Sequence, residues 1–164
     1  MIREAQLSDA PAVASLYAHH VLTGTGTFDI TPPDAEAVVH RMRAVLARGW
    51  PWLVAEADGA LLGYACAARF RDREAYARTC ESSVYVAPSA QGRGIGSRLM
   101  DALISAARAS GFRQMVAVVG DSANAASLAL HRRLGFREVG CLRAVGEKFG
   151  RRLDVVLMQR PLAD

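Results

Sequence analysis

The sequence is poor in the residues that build disulfide frameworks and metal centres. Its three cysteines, Cys66, Cys80 and Cys141, are odd in number, widely spaced and form no C-x-x-C pair, which excludes a disulfide scaffold. The four histidines show neither H-x-x-x-H nor H-E-x-x-H spacing, so no metal site is expected. We interpret the cysteines as small buried side chains of a reducing compartment, which predicts a cytoplasmic protein.

Long apolar runs and lysine are also scarce. No stretch approaches the roughly 18 apolar residues of a membrane span, and residues 1–6 lack the apolar core of a secretory signal; we therefore expect no membrane partner. Of the 20 basic residues 19 are arginine, and 16 acidic residues leave a net charge of +4. The arginines are dispersed without an aromatic stripe, so nucleic acid is not an expected partner, although guanidinium groups suit small anions.

The length and composition predict one folded domain. A chain of 164 residues corresponds to about one domain, and 51% hydrophobic residues are enough to form a core. No repeat, low-complexity tract or linker divides the sequence. We expect a single domain over residues 1–164.

Hydrophobic periodicity predicts the element order β-α-α-β-β-β-α-β-α-β-β. The predicted strands are residues 2–6, 52–57, 61–70, 79–86, 114–119, 138–145 and 153–160. The predicted helices follow Ser8 and Pro33 and span residues 94–110 and 123–134. Three consecutive strands in the middle of the chain predict an α/β fold with a mixed central sheet and helices on both faces.

Short motifs set several of these boundaries. Ser8 is predicted to cap the first helix with its hydroxyl. Asp58-Gly59, between two apolar runs, predicts a two-residue hairpin turn. Gly111 and Gly135 are predicted to end the two later helices.

A glycine loop, Gln91-Gly92-Arg93-Gly94-Ile95-Gly96-Ser97, joins a predicted strand to a predicted helix. Glycines at alternate positions let the backbone approach a ligand, and N–H groups at the positive end of a helix suit a pyrophosphate. The loop lacks the lysine of a P-loop and the spacing of a Rossmann fingerprint. A glycine-rich connection without a ligand is the alternative interpretation.

This loop resembles the Q/R-x-x-G-x-G/A acyl-CoA signature of the GNAT-type N-acetyltransferases. Six further segments resemble the phosphinothricin / methionine sulfoximine acetyltransferase branch of that family, and they follow the family's order over nearly the whole chain. They are residues 51–56, 63–65, 81–86, 124–127, 131–136 and 145–151. The resemblance implies the GNAT acyl-CoA N-acyltransferase fold. It also implies acetyl-CoA as cosubstrate, no metal, and a homodimer with the late strands near the interface.

The resemblance assigns the cofactor contacts to one strand, the glycine loop and the start of the next helix. The residues are Val84, Tyr85, Val86, Gln91, Gly92, Arg93, Gly94, Ile95, Gly96, Ser97, Asn124 and Ser127. Asn124 also has the residue type and position of a helix cap, and the two roles are compatible.

Two residues are candidates for catalysis. Glu81 is charged within a strand of small and apolar residues, which is costly for a merely structural residue. It is interpreted as a general base acting directly or through water, or else as a group that orients the substrate ammonium or pairs with an arginine. His131 occupies the position where many GNAT enzymes have a tyrosine that protonates the departing thiolate; a packed histidine is the alternative. A backbone N–H near Val84 would polarise the thioester carbonyl.

The resemblance also implies a substrate site. Its candidate residues are Phe28, Arg71, Arg73, Tyr76, Glu81, Ser82 and Ser83. Two guanidinium groups suit a carboxylate or phosphinate, although a solvated charged loop has the same composition. Arg152 and Phe70 replace tryptophans that are usual in the branch, and these two changes are expected to reshape the substrate pocket.

The predicted function is acetyl-CoA-dependent acetylation of the α-amino group of a small amino-acid-like substrate. Acetylation of a herbicide or antibiotic of this kind would confer resistance to it. Phosphinothricin, methionine sulfoximine and methionine sulfone are the leading candidates. An acetyltransferase for peptide or protein amines is the second hypothesis and predicts an open acidic groove. The third is an acyl-CoA-binding module without catalysis, which would bind CoA and acetylate no amine.

Overall fold

Residues 1–163 are described by a computed structural model, and they form one seven-stranded sheet with four α-helices. The strands are β1 (Ile2–Glu4), β2 (Trp52–Ala57), β3 (Ala60–Arg69), β4 (Thr79–Val86), β5 (Gln114–Gly120), β6 (Arg137–Lys148) and β7 (Arg151–Pro161). The helices are α1 (Ala10–Thr23), α2 (Ala35–Leu46), α3 (Ile95–Ala109) and α4 (Ala125–Arg133). The predicted element order is confirmed.

The sheet is mixed, as predicted. Its strand order is β1-β2-β3-β4-β5-β7-β6, and every neighbouring pair is antiparallel except β4 and β5, which are parallel and joined through α3. Helices α1 and α2 pack on one face with residues such as Val54 and Tyr64. Helices α3 and α4 pack on the other face with residues such as Ala65 and Met115. Helices therefore cover both faces.

The predicted hairpin turn is present. Asp58 and Gly59 have φ values of 51° and 76°, the left-handed pair that matches the twist of two antiparallel strands. Phe149 and Gly150, with φ of 54° and 69°, make the same kind of turn between β6 and β7.

The start of α1 corrects one prediction. Ser8 lies inside a short 3-10 turn, Leu7–Asp9, and α1 begins at Ala10. The Asp9 carboxylate accepts from the Gln6 N–H at 2.8 Å and from the Arg3 guanidinium at 2.8 Å. The Asp9 carboxylate therefore holds the turn that leads into α1. Ser8 lies inside that turn and is not the cap.

The described residues contain no helix long and apolar enough to cross a membrane. Within residues 1–163 there is also no group of three or more His, Cys, Asp or Glu side chains arranged to hold a metal ion.

Candidate active site

The parallel strands β4 and β5 separate part-way along their length. They pair from Thr79 and Gln114 to Ser82 and Ala117, whereas β4 continues to Val86 and β5 to Gly120. On their outer edges both strands remain paired with β3 and β7. The inner backbone edge of β4 beyond Ser82 is thus left without a strand partner, which opens a cleft through the sheet.

The cleft has a volume of about 1270 Å³. Its walls include Glu81, Ser82, Ser83, Val84, Tyr85 and Val86 from β4, Gln91, Gly92, Gly94, Ile95, Gly96 and Ser97 from the glycine loop, Asn124, Ser127 and His131 from the α4 region, and Phe28 from the loop after α1. The structure thereby brings together most of the residues that the sequence singles out.

The glycine loop lies at the open end of the cleft. Gly92 and Gly94 have φ of 72° and 74°, and Gly94 is the N-terminal cap of α3, with no side chain accepting from the first turn of that helix. These backbone N–H groups and the positive end of the helix suit an anion. Arg93 is exposed and instead lines a separate depression with Glu56 and Arg98, so this predicted cofactor residue is not part of the cleft wall.

Glu81 lies at the closed end, next to the last paired residues of β4 and β5. It is half-buried and stands in register with Ala68 of β3 and Val116 of β5. Burial raises the pKa of its carboxyl group, and the charge of Arg71 opposes that shift. A carboxylate with a raised pKa is a stronger base at neutral pH. Ser82, the next residue, directs its hydroxyl to the Val116 carbonyl at 3.5 Å.

The α4 residues form a local hydrogen-bonded group. The Asn124 side-chain oxygen accepts from the Ser127 N–H at 3.3 Å, so Asn124 caps the helix. His131 is 4% exposed, and its Nδ1 lies 2.7 Å from the Ser127 carbonyl oxygen. Because a carbonyl oxygen can only accept, Nδ1 carries the proton of the neutral ring. Burial lowers the pKa of His131, and its ring packs edge-on against Phe136, with the centroids 5.0 Å apart.

The predicted substrate arginines lie outside the cleft walls. Arg71, Arg73 and Tyr76 are exposed in the segment between β3 and β4. The Arg71 guanidinium lies 4.2 Å from the centroid of the Phe70 ring, and Tyr76 contacts the same ring edge-on at 5.8 Å. Of these three residues, only Arg71 influences the pKa of Glu81, which its positive charge lowers.

Residues 25–29, which we call the strap, follow α1, and residues 25–28 line the cleft. The Thr25 hydroxyl donates to Asp121 at 2.5 Å, beyond the end of β5, and the Tyr17 hydroxyl of α1 donates to Asp29 at 2.5 Å. The strap thus joins α1 to the end of β5 and places Phe28 in the cleft wall.

Sequence comparison identifies the family. The Acetyltransferase (GNAT) family model matches residues 15–136. The chain belongs to this family of acetyltransferases. It is 51% identical over 161 residues, 98% of this chain and 82% of the relative, to a phosphinothricin N-acetyltransferase from Alcaligenes faecalis.

Two further comparisons agree with this result. An L-methionine sulfoximine/L-methionine sulfone acetyltransferase from Pseudomonas paraeruginosa is 43% identical, over 96% of this chain and 92% of the relative. The solved structure of a GNAT superfamily phosphinothricin acetyltransferase from Sinorhizobium meliloti, in complex with AcCoA, has a TM-score of 0.96 at 41% identity, over 99% of this chain and 88% of that one. The GNAT fold predicted from the sequence is confirmed.

Sequence reasoning missed several residues that line the cleft of this GNAT chain, and one of them, His20, is hydrogen-bonded to β4. His20 of α1 lines the cleft, and its Nε2–H donates to the Val86 carbonyl at 2.9 Å. Burial lowers its pKa. The sequence signal for His20 was its position three residues after Tyr17, which places it on the buried side of α1. A histidine packed in the core would occupy the same position, so the signal does not distinguish the two.

The glycine loop allows a controlled test of anion binding. Replacing Gly94 by Ala puts a Cβ into open space, so the change acts through the left-handed backbone and disturbs the N–H groups around it. We expect acetyl-CoA affinity to fall about tenfold, since a hydrogen bond to a charged group contributes about 1.5–3 kcal/mol. Isothermal titration would measure it.

The matched control is Gly49→Ala. Gly49 has φ of 71° and also has nothing within 4 Å of an added Cβ, but it lies between α2 and β2. Both variants should lose similar stability, and only Gly94→Ala should lose affinity. Equal affinity of the two variants for acetyl-CoA would show that the loop is not part of the binding site.

Proposed function

We propose that residues 1–164 act as one acetyltransferase domain that transfers the acetyl group of acetyl-CoA to the α-amino group of a small amino-acid-like substrate. Phosphinothricin, methionine sulfoximine and methionine sulfone are the leading candidates, because relatives at 51% and 43% identity carry these names. The observation that carries the proposal is the split between β4 and β5, with an anion-binding turn at its open end and a half-buried carboxylate at its closed end.

The cleft fits a long ligand with an anionic end. From Glu81 to Val86 the strand spans about 16 Å. Beyond Ser82 the inner edge of β4 has no strand partner, and the Val86 carbonyl accepts from His20. We assign the pyrophosphate to the amides of the loop from Gln91 to Ser97 and the pantetheine arm to Val84, Tyr85 and Val86. Asn124 and Ser127 would contact that arm, and the thioester supplies the activated acetyl group.

Glu81 is proposed as the general base. An α-amino group titrates near 7.7–8.0 in peptides, so at neutral pH much of it is protonated and cannot attack. A carboxylate at the closed end of the cleft removes that proton, directly or through water. The neutral amine attacks the thioester carbonyl, and a backbone N–H near Val84 stabilises the oxyanion. The C–S bond then breaks, CoA leaves as the thiolate, and the proton that the nitrogen loses in forming the amide balances the charge of the thiolate. Arg71 is the first candidate for the substrate's anionic group, because its charge acts on Glu81; Arg73, Tyr76, Phe28, Ser82 and Ser83 are further candidates.

His131 is proposed as a packing residue. In the neutral ring the only proton is on Nδ1 and is bound to the Ser127 carbonyl, so donation from Nε2 to sulfur would require the imidazolium, which burial disfavours. Replacing His131 by Phe should lower kcat less than about tenfold, against the roughly 10²–10⁴-fold loss expected for a proton donor. Steady-state rates from pH 6 to 9 would measure it, and a hundredfold loss with removal of the alkaline limb would assign the donor role.

A thiol-release assay tests the proposed function. We expect saturable CoA release with phosphinothricin, methionine sulfoximine or methionine sulfone, and none with a peptide that begins with alanine. Activity on the peptide alone would favour the protein acetyltransferase, whereas CoA binding without acetylation of any amine would favour a binding module.

We further propose a homodimer formed through β6. This strand is the last in the sheet of the described residues, so its outer edge has no strand neighbour there. It exposes Val139, Leu142 and Val145, which are 58%, 48% and 56% accessible. An exposed apolar edge strand favours pairing with a second copy.

Light scattering tests the dimer. Leu142→Arg is expected to convert a dimer of the wild-type chain into a monomer, because the charge would enter an apolar contact. Leu22→Arg is the control, since Leu22 is 60% exposed on α1. A monomeric wild-type protein, or a dimer that tolerates Leu142→Arg, would contradict this interface.

We also propose a cytoplasmic location. The three cysteines are free thiols, and burial raises the pKa of Cys66 and Cys80 to about 12. Such thiols are unreactive, in agreement with a reducing compartment.

A further inference from the structure

The chain's single lysine is buried. Nineteen of the 20 basic residues are arginine, yet Lys148, at the end of β6, is 4% exposed. An ammonium group is strongly hydrated, so burying it is costly unless a specific contact compensates. Burial lowers the pKa of Lys148, and the charge of Asp29 opposes that shift.

The contact is with the strap. The Lys148 ammonium donates to the Thr27 backbone carbonyl at 2.9 Å, across 121 residues of sequence. The neighbouring Phe149 ring, whose centroid lies 5.2 Å from Nζ, supplies a cation–π contact. The β6–β7 hairpin is thereby tied to the peptide group immediately before Phe28.

The rest of the strap is anchored by other elements. Thr25 is bound to Asp121 and Asp29 to Tyr17, while the Thr27 hydroxyl lies 2.7 Å from the Tyr17 hydroxyl. None of these bonds involves the Thr27 carbonyl. The Lys148 contact therefore sets the orientation of the Thr27–Phe28 peptide.

Two glycines make room for the Phe28 ring. An added Cβ on Gly120 would lie 3.0 Å from the Phe28 ring, and one on Gly146 would lie 2.3 Å from it. The ring fills the space left by these two glycines and forms part of the cleft wall. A small rotation of the preceding peptide would move this wall.

We propose that Lys148 is a positioning residue for the amine-binding part of the cleft, an inference that rests on the proposed function. Lys148 holds the Thr27 carbonyl, and the strap in turn holds the Phe28 ring against Gly120 and Gly146. Lys148 itself is not among the residues that line the cleft.

Kinetics of Lys148→Met test this role. The variant keeps an unbranched side chain, one heavy atom shorter than lysine, and removes the donor. We expect the KM for the amine to rise about ten- to hundredfold, because a wall displaced by about 1 Å weakens alignment to that extent. Acetyl-CoA affinity should stay within about twofold, since the loop from Gln91 to Ser97 is untouched.

A matched control is Arg108→Met. Arg108 also donates to a backbone carbonyl, that of Leu162, but it lies on α3 and does not line the cleft. It should lower thermal stability without changing the amine KM. A folded Lys148→Met protein with a wild-type amine KM would overturn the inference, and a wild-type enzyme that acetylates none of the amines would instead overturn the proposed function.

A spectroscopic readout needs no variant at position 148. Because the chain has one lysine, labelling with ¹⁵N-lysine gives one side-chain ammonium resonance. We expect it to shift on saturation with the amine and in Phe28→Leu, because both change the strap to which it is bound. A resonance that responds to neither would overturn the inference.

Discussion

Replacing Glu81 by Gln is expected to lower kcat by about 10²–10⁴-fold, the range usual for loss of a general base. The amide is nearly isosteric with the carboxylate but cannot accept a proton from the attacking ammonium. Acetyl-CoA affinity should remain near that of the wild-type enzyme, because the glycine loop lies at the opposite end of the cleft from Glu81. Single-turnover rates combined with titration of acetyl-CoA would separate the two quantities.

The pH profile gives an independent check on Glu81. The ionised carboxylate is the active form, so the rate falls as pH drops through the pKa that burial raises, and this acid limb should be absent in Glu81→Gln. The Arg71 charge lowers that pKa, so Arg71→Gln should move the limb to higher pH. Glu74→Gln, in an exposed turn of the same segment, is the control. An acid limb that persists in Glu81→Gln would assign Glu81 to orienting the ammonium.

Local sequence signals predicted the elements well because their causes are local. The Asp58-Gly59 pair fixes a hairpin through backbone conformations that only a few residue types adopt easily. The apolar positions Val13, Leu16 and Val21 follow the helical period and are buried as predicted. At Ser8 the same kind of signal was wrong, because the Asp9 carboxylate determines how the chain enters α1.

The cleft depends on contacts that no local pattern contains. Where β4 and β5 separate is decided by pairing between distant segments, and the strap is placed by bonds to Asp121 and Lys148, far away in the sequence. Glu81 and the glycine loop, which the resemblance to the family singled out, line this cleft, with the exception of Arg93. The resemblance did not show that Arg73 and Tyr76 are exposed and lie outside the cleft walls.

Adding a single methyl group at Gly146 is expected to remove Phe28 from the cleft wall. The Cβ of Gly146→Ala would lie 2.3 Å from the Phe28 ring, a distance that no side chain tolerates. Because Phe28 is 37% exposed, the ring can move outward, so the stability loss should stay below about 1 kcal/mol, less than overpacking costs in a closed core. The amine KM should instead rise about ten- to hundredfold.

A double-mutant cycle with Phe28→Leu identifies the cause. If Gly146→Ala acts by displacing the ring, the smaller leucine leaves room for the methyl group, and the two substitutions together should raise the amine KM no more than either one alone. Additive effects would mean that Gly146 acts on the cleft by another route. Gly140→Ala is the control for adding a methyl group to this strand, since Gly140 has nothing within 4 Å of an added Cβ. Its amine KM gives the effect of the methyl group without a clash. A non-additive result would show that the Phe28 ring, held between Gly120 and Gly146, shapes the amine-binding part of the cleft.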